Sequence, residues 1–105
     1  MATITLEGCS GNSYEFTISE KETNFNSVGG VYYVTKIINN THYRIYLGIT
    51  NDLSLRFNNH HKEDCFVKNK ATHICILRES SEEKRKIIEE DILCKHSFPC
   101  NEVNN

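Results

Sequence analysis

Residues 30–49 read GVYYVTKIINNTHYRIYLGI and contain two β-strand patterns in succession. The segments 31–38 and 43–49 are rich in β-branched and aromatic residues, which pack well on a pleated, half-buried surface. Only the polar residues 39–42 separate them. A short polar connection between two such runs predicts an antiparallel β-hairpin.

The side chains of this hairpin divide into two faces, because successive residues of a strand point to opposite sides of the sheet. One face is predicted to be apolar and to form the core. Its members are Val31, Tyr33, Ile37, Ile45, Leu47 and Ile49. If these residues share the core face, Tyr32 and Tyr46 emerge together on the opposite face.

A second hairpin is predicted near the N-terminus. Residues 3–7 and 14–18 alternate apolar and polar side chains, and residues 8–13 between them are rich in turn formers. Residues 19–29 are mostly polar and end on two glycines. We therefore interpret them as a connection between the two hairpins.

A helix and a third strand are predicted downstream of the long hairpin. Thr50 or Asn51 is suited to cap a helix that runs to about Asn59, because their side chains accept hydrogen bonds from the first free backbone N–H groups. Residues 72–78 have the β-branched and apolar composition of a strand.

A second helix is predicted after this strand. Ser80 followed three residues later by Glu83 has the form of a capping box. The apolar spacing then indicates a helix to about Lys95. Pro99 prevents the helix from continuing, because proline lacks the backbone N–H and clashes with the preceding turn.

The bulk composition limits the function classes. A chain of 105 residues has room for one domain, residues 1–105. Its formal charge is −2, whereas nucleic-acid-binding domains usually carry a basic surplus. We therefore expect that the chain binds nucleic acid weakly or with the help of a partner. The sequence has neither an apolar run of about 20 residues, as a membrane helix needs, nor a signal peptide, and a cytoplasmic location is expected.

The five cysteines are odd in number and form no CxxC motif. In a chain that stays in the cytosol they are expected to be free thiols. Histidines and cysteines do cluster, but not at the close ligand spacings of zinc ribbons or fingers. A zinc site is therefore only a weak alternative.

Two triplets of the long hairpin, Gly30-Val31-Tyr32 and Tyr46-Leu47-Gly48, resemble the elements that name the GIY-YIG nuclease superfamily. Four later residues match the family pattern in the same order, and they are Arg56, His60, Glu89 and the Asn101 of Phe98-Pro99-Cys100-Asn101. The departures are mild, since Val31 and Leu47 each replace an isoleucine and Phe98 replaces a proline. Residues 59–66 and the N-terminal hairpin also resemble a small bacterial stand-alone branch of the superfamily.

The resemblance implies an α+β fold in which helices flank a central three-stranded antiparallel β-sheet. Residues 1–28 would then form an N-terminal hairpin extension, and residues 29–101 the catalytic core. The implied activity is a metal-dependent endonuclease that hydrolyses nucleic-acid phosphodiester bonds, with DNA expected as the substrate in preference to RNA as the alternative. One Mg²⁺ or Mn²⁺ ion per active site is the implied cofactor.

The resemblance also assigns catalytic roles to six residues, which are Tyr32, Tyr46, Arg56, His60, Glu89 and Asn101. Tyr32 is the candidate general base, although an unperturbed phenol titrates near ~10 and would need a nearby cation. Arg56 can hold a phosphate with its planar fork, and Glu89 is the expected metal ligand. His60 would relay a proton, Tyr46 would orient the water or the phosphate, and Asn101 would hold a site residue or a phosphate in position.

Plainer interpretations compete with these roles. Glu89 lies in a run of charges that a solvated helix face would explain, and Glu90 and Asp91 compete with it as metal ligands. We prefer Glu89 because it shares a helical face with the apolar Ile92. His61 and His73 are expected to be structural or surface residues. A set of basic residues could track a nucleic-acid backbone, namely Lys62, Lys68, Lys70, Arg78 and Arg85.

Two other function classes compete with the nuclease. The first is a catalytically silent or partner-dependent nucleic-acid-binding module on the same fold, which the acidic balance and the missing recognition domain would support. A homodimer or a recognition partner protein would then supply the affinity. The second is an interaction domain stabilised by zinc. No membrane partner is expected.

Overall fold

The computed structural model describes residues 2–58 and 60–102, so the helix end predicted at Asn59 and the tail 103–105 lie outside the described residues. The fold is α+β. Its strands are β1 (Thr3–Glu7), β2 (Ser13–Glu20), β3 (Gly30–Ile38), β4 (Thr41–Thr50) and β5 (His73–Arg78). Its helices are α1 (Leu53–Arg56), α2 (Glu63–Lys68), α3 (Glu82–Lys95) and α4 (Pro99–Glu102).

The sheet has five strands in the order β1-β2-β5-β3-β4, and every neighbouring pair is antiparallel. The prediction of a three-stranded central sheet with a separate hairpin extension is therefore wrong. The N-terminal hairpin continues the sheet, because β2 pairs with β5 through Thr17 opposite Ile76 and Ser19 opposite Ile74. This pairing uses the backbone N–H and C=O groups that β5 would otherwise expose along its outer edge.

Both faces of the sheet carry a packed core. On one face, Ile92 of α3 packs with Leu47 of β4. On the other face, Leu53 of α1 and Phe66 of α2 pack around Tyr32 of β3. Since helices cover both faces of β3, six consecutive residues of that strand (30–35) are buried, and its side chains do not alternate between core and solvent.

The pairing of β3 with β4 confirms one prediction about the faces and corrects another. Tyr32 and Tyr46 share the face opposite Leu47, as predicted. Ile45 was expected on the face of Leu47, but it packs with Tyr32 instead. The register shifts at this point, because Val34 pairs with Tyr46 and the next pair omits Ile45. Ile45 is thus the extra residue of a β-bulge, which reverses the facing of the chain beyond it.

The first helix begins later than predicted and is shorter. Asp52 caps α1, rather than Thr50 or Asn51, and its side chain accepts a hydrogen bond of 2.9 Å from the backbone N–H of Ser54. The helix ends at Arg56. Helix α2 was not predicted, because its six residues are too few to show a helical period.

The later helices agree more closely with the prediction. Ser81, rather than Ser80, caps α3 by accepting a hydrogen bond of 3.3 Å from the backbone N–H of Lys84. Helix α3 ends at Lys95 as predicted, and Pro99 begins the short α4. In the part of the chain that the structure describes, no helix is both long and apolar enough to cross a membrane.

Four of the five cysteines form disulfides, Cys9–Cys94 and Cys65–Cys100. The prediction of free thiols is therefore wrong for these four, and Cys75 is free and buried. Sequence spacing hides the pairs, because the bonded residues lie 85 and 35 positions apart. Sulfurs held in disulfides are not zinc ligands, and within residues 2–58 and 60–102 no three His, Cys, Asp or Glu side chains form a metal-binding group.

Removing the Cys9–Cys94 disulfide is expected to destabilise the protein. The bond closes a segment of 85 residues, for which the chain-entropy model gives about 4.6 kcal/mol. We expect the double variant Cys9→Ser/Cys94→Ser to lose up to that much free energy of unfolding in urea. The matched control is the same comparison with reductant, where both proteins should unfold at the same urea concentration. A double variant as stable as the oxidised wild type would contradict the expectation.

Candidate active site

Tyr32 and Gly48 face each other across β3 and β4, and their contact explains why a glycine is needed in the second triplet. The side chain of Tyr32 is fully buried. A Cβ atom on Gly48 would lie 2.5 Å from Tyr32 Oη and 2.8 Å from Cε2 of Tyr46. Because both distances are below normal contact, the two phenols can lie over the strand only where residue 48 has no side chain.

Two side chains converge on the phenol oxygen of Tyr32. Arg56 donates a hydrogen bond to it from Nε over 2.9 Å, and His60 Nε2 lies 2.7 Å from it. Arg56 is the last residue of α1, whereas His60 lies beyond the helix. The two residues therefore lie on different segments of the chain, and the phenol oxygen of Tyr32 is what joins them.

The hydrogen bonds of His60 fix the position of its proton. Its Nδ1 accepts a hydrogen bond of 3.0 Å from the backbone N–H of Lys62. A backbone N–H can only donate, so Nδ1 carries no proton, and in the neutral ring the proton is on Nε2. Burial, followed by the charge of Arg56, lowers the pKa of His60 to about 3, so the ring is neutral at neutral pH. His60 thus donates to Tyr32.

The acidity of Tyr32 reflects two opposing influences. Burial raises the pKa of Tyr32, with a further increase from the neighbouring Tyr46, while Arg56 lowers it in part. The net direction is upward, so the phenol is protonated at neutral pH. Its oxygen accepts hydrogen bonds from Arg56 and His60, and its own proton is left to donate.

Aromatic rings pack around this hydrogen-bonded group. The ring centroid of Tyr46 lies 5.4 Å from that of His60, and Phe66 lies 4.8 Å from His60. Phe57 meets Tyr32 edge-on at 5.0 Å. This packing is the physical cause of the desolvation that shifts the pKa values of Tyr32 and His60.

His61 is closer to the site than the sequence suggested. Its ring stacks on His60 at 4.6 Å, and its Nδ1 lies 3.3 Å from Nη2 of Arg56. The side chain is exposed. The only sequence signal was its position next to His60, which does not distinguish a site residue from a surface histidine.

Glu89 lies on α3 at the margin of the site and is half-buried. Burial, followed by the negative charge of Glu90, raises the pKa of Glu89. The Glu89 carboxylate in turn contributes to raising the pKa of Tyr46. Helix α3, which carries Glu89, packs against β4, the strand that carries Tyr46.

The two acids that competed with Glu89 are placed differently. Asp91 accepts hydrogen bonds from the backbone N–H of Ser10 (2.9 Å), from Ser10 Oγ (2.6 Å) and from Tyr14 Oη (2.7 Å). These bonds lower the pKa of Asp91 and hold the β1–β2 turn against α3. Glu90 is exposed. Of the three acids, Glu89 is the one that contributes to raising the pKa of Tyr46.

Asn101 binds the backbone of β4. Its Oδ1 accepts a hydrogen bond from the N–H of Leu47, and its Nδ2 donates one to the C=O of Leu47, each over 2.8 Å. Both ends of the amide are thus used, and they satisfy the edge of β4 that faces away from β3. Because Leu47 stands between Tyr46 and Gly48, Asn101 positions the strand that carries Tyr46.

Arg85 does not fit the expectation that it helps to track a nucleic-acid backbone. It is buried, and its Nη1 donates to the backbone carbonyls of Glu79 (2.9 Å) and Ser80 (3.1 Å). These bonds hold the segment before α3. The guanidinium is therefore structural and is not presented to a ligand.

Replacing Gly48 with alanine is expected to weaken the site without unfolding the protein. The new methyl group would force the phenols of Tyr32 and Tyr46 apart, at a typical overpacking cost of about 1–3 kcal/mol. We expect a lower melting temperature. We also expect the nuclease activity implied by the sequence resemblance to fall about tenfold, because the reaction rate drops steeply when catalytic groups are misplaced. Gly11→Ala is the control, because nothing lies within 4 Å of its added Cβ, although its positive φ adds some strain. Equal activities of Gly48→Ala and wild type would show that the phenols need not touch.

Protonation of His60 should destabilise the fold as the pH falls. Its pKa is near ~6.5 in an unfolded chain and about 3 in the folded protein. Below pH ~6.5 the unfolded state therefore binds more protons, and stability is lost progressively as the pH falls toward 3. We expect His60→Gln, which cannot titrate, to lose less stability than wild type between pH 7 and 4 in urea unfolding. Parallel losses in the two proteins would contradict this.

Comparisons with protein-family models, with curated proteins and with solved structures find no match to this chain. The functional assignment therefore rests on the residues and their geometry.

Proposed function

We propose that the protein is a divalent-metal-dependent endonuclease that hydrolyses nucleic-acid phosphodiester bonds and that its substrate is DNA. The observation that best supports the proposal is the convergence of Arg56 and His60 on the phenol oxygen of Tyr32. The Glu89 carboxylate contributes to raising the pKa of Tyr46. Titratable groups perturbed by burial and by each other are the physical signature of a candidate catalytic site.

Glu89 is suited to hold one Mg²⁺ or Mn²⁺ ion. Burial and the charge of Glu90 raise its pKa, which means that the folded protein destabilises the carboxylate form of Glu89. A bound divalent cation would offset this destabilisation. Mg²⁺ usually keeps several waters and binds through one or two carboxylates together with substrate phosphates, so a single acid is sufficient. When bound, the ion would neutralise charge on the phosphate oxygens.

Arg56 is suited to hold the substrate phosphate. Its Nε is committed to Tyr32, but the guanidinium has further N–H donors in a planar fork. The side chain is only half-buried, so a phosphate can approach it. A phosphate bound there would lie beside the Tyr32 hydroxyl, because Nε of the same guanidinium already contacts that oxygen.

Tyr32 is the proposed general base. Its phenolate would be stabilised by the hydrogen bonds from Arg56 and His60, whereas burial opposes the negative charge. His60 acts through Tyr32, because its remaining nitrogen is already bonded to the Lys62 backbone. We therefore assign His60 the role of a fixed hydrogen-bond donor to Tyr32 in place of the proton relay expected from the sequence.

The acidic balance of the chain supports a role for a homodimer or a recognition partner protein, since the formal charge is −2. A cytoplasmic location is also a proposal. Two disulfides are unusual in that compartment, where thiols are kept reduced. Alkylating the free thiols in intact cells and counting the modified cysteines would test the location.

The proposed function is tested with a cleavage panel. Duplex, nicked, flap, branched and single-stranded DNA and single-stranded RNA are incubated with the purified protein at low salt. We expect cutting of at least one DNA in Mg²⁺ or Mn²⁺, loss of cutting in EDTA, and recovery on adding excess metal. If all substrates stay intact, the proposal is wrong. Tight metal-independent DNA binding without cutting would support the silent binding module instead.

A further inference from the structure

A small pocket lies next to the candidate active site on the same face of the sheet. Its volume is about 230 Å³, which is below the roughly 300 Å³ of pockets that take drug-sized ligands. Its lining includes Val34, Ile74, Phe57, Phe66, Lys21 and Glu63. The space suits one planar ring system.

The pocket shares two walls with the site. Phe57 contacts the Tyr32 ring at 5.0 Å, and Phe66 lies 4.8 Å from His60 and 5.6 Å from Tyr46. A ligand group that enters the pocket would therefore be one side chain away from the phenol oxygen of Tyr32. Because the pocket and the site share these walls, a ligand in the pocket is expected to be part of the substrate that binds at the site.

The lining combines an apolar interior with a charged rim. Val34 and Ile74 are buried strand residues that pack in the same core as Phe66. At the rim, Lys21 Nζ lies 3.3 Å from a carboxylate oxygen of Glu63, and Glu22 also contributes. The rim thus offers both a donor and acceptors, while the interior offers aromatic and methyl surface.

We infer that this pocket binds one nucleobase of the substrate strand, next to the phosphate that is cut. A nucleobase has flat apolar faces that stack on aromatic rings, and a polar edge with both donors and acceptors. A base can enter only if it is unpaired, so the substrate is single-stranded or has an extruded base. The inference rests on the proposed nuclease function for the identity of the ligand.

The net negative charge of the chain favours this mode of binding. With a formal charge of −2, the protein cannot rely on many phosphate contacts for affinity. Stacking of a base on aromatic side chains supplies affinity without basic residues, and it tolerates different sequences. Stacking of an unpaired base therefore supplies the binding affinity that the net charge of the chain does not.

The pocket can be tested without any cleavage. The variant Glu89→Gln is mixed with a short single-stranded DNA, and the methyl signals of Val34 and Ile74 are followed by NMR. We expect both signals to shift in a saturable way, because the ring current of a bound base acts on nearby methyl groups. The matched control is the same DNA backbone without bases, which should leave them in place. Ile92, on the opposite face, reports any general effect.

An occluding variant provides the second measurement. Glu22 is exposed at the rim, so Glu22→Trp can cover the pocket without disturbing the core. We expect about tenfold weaker binding of single-stranded DNA by fluorescence anisotropy, in line with the loss of one stacked base. Glu83→Trp, at an exposed position of α3, should bind like the parent protein.

The outcomes separate this inference from the proposed function. If DNA is cut but the Val34 and Ile74 signals do not move and Glu22→Trp binds normally, the pocket assignment is wrong and the nuclease proposal stands. If no substrate is cut but the methyl signals shift only with bases present, the pocket binds nucleobases and the nuclease proposal fails. Methyl shifts that are equally large with the base-free backbone would overturn the inference.

Discussion

Replacing Glu89 with glutamine is expected to lower the metal-dependent cleavage rate by about a thousandfold or more, which corresponds to about 4 kcal/mol of transition-state stabilisation. Glutamine keeps the size of the side chain and removes its charge. Since burial and Glu90 already raise the pKa of Glu89, the neutral amide should not harm the fold. The variant should therefore melt at or slightly above the wild-type temperature.

The neighbouring Glu90 provides a matched control for this variant. It carries the same charge one residue along α3, but it is exposed. Glu90→Gln should cut nearly as fast as wild type, and its removal of a repelling charge should lower the pKa of Glu89 slightly. Titrating Mg²⁺ against the cleavage rate separates the two roles, because only Glu89→Gln should weaken the metal dependence. A Glu89→Gln enzyme that cuts at the wild-type rate would remove Glu89 from the site.

The site was more predictable from the sequence than the sheet that carries it. Tyr32 and Tyr46 share a face because side chains alternate over residues 46–49, on one side of the bulge, and Gly48 marks the place where the two rings need space. The order of the strands has no such local signal. Thr17 pairs with Ile76, which is far away in the chain. The sequence of neither segment indicates which strand it pairs with.

The remaining errors have similar causes. The bulge at Ile45 depends on how two strands align, so a period of two within one strand cannot reveal it. The disulfide Cys65–Cys100 depends on α4 folding back onto α2. The tautomer of His60 depends on a single backbone N–H, that of Lys62. In each case the deciding contact is tertiary.

Replacing Tyr32 with phenylalanine is expected to lower the cleavage rate by about 10²–10⁴-fold, the usual loss when a general base is removed. The change also takes away the acceptor of two hydrogen bonds, from Arg56 Nε and from His60 Nε2. Leaving buried donors unpaired costs about 1–3 kcal/mol. We therefore expect a lower free energy of unfolding in urea together with the loss of activity.

Tyr33→Phe controls for the loss of a buried tyrosine hydroxyl. Tyr33 is fully buried on the opposite face of β3, and among the described residues its hydroxyl has no hydrogen-bond partner. Removing that hydroxyl should leave activity unchanged and stability unchanged or slightly higher, because no bond is lost. Equal losses of activity in the two variants would point to a general packing effect and not to a role of Tyr32.

The pH dependence distinguishes a catalytic Tyr32 from a structural one. The phenol must lose its proton to act as a base, and burial raises its pKa. The wild-type rate should therefore rise with pH through the alkaline range, and the residual rate of Tyr32→Phe should lack that rise. If Tyr32→Phe is less stable but keeps both the rate and its pH dependence, the phenol only holds Arg56 and His60 in place, and another group activates the water.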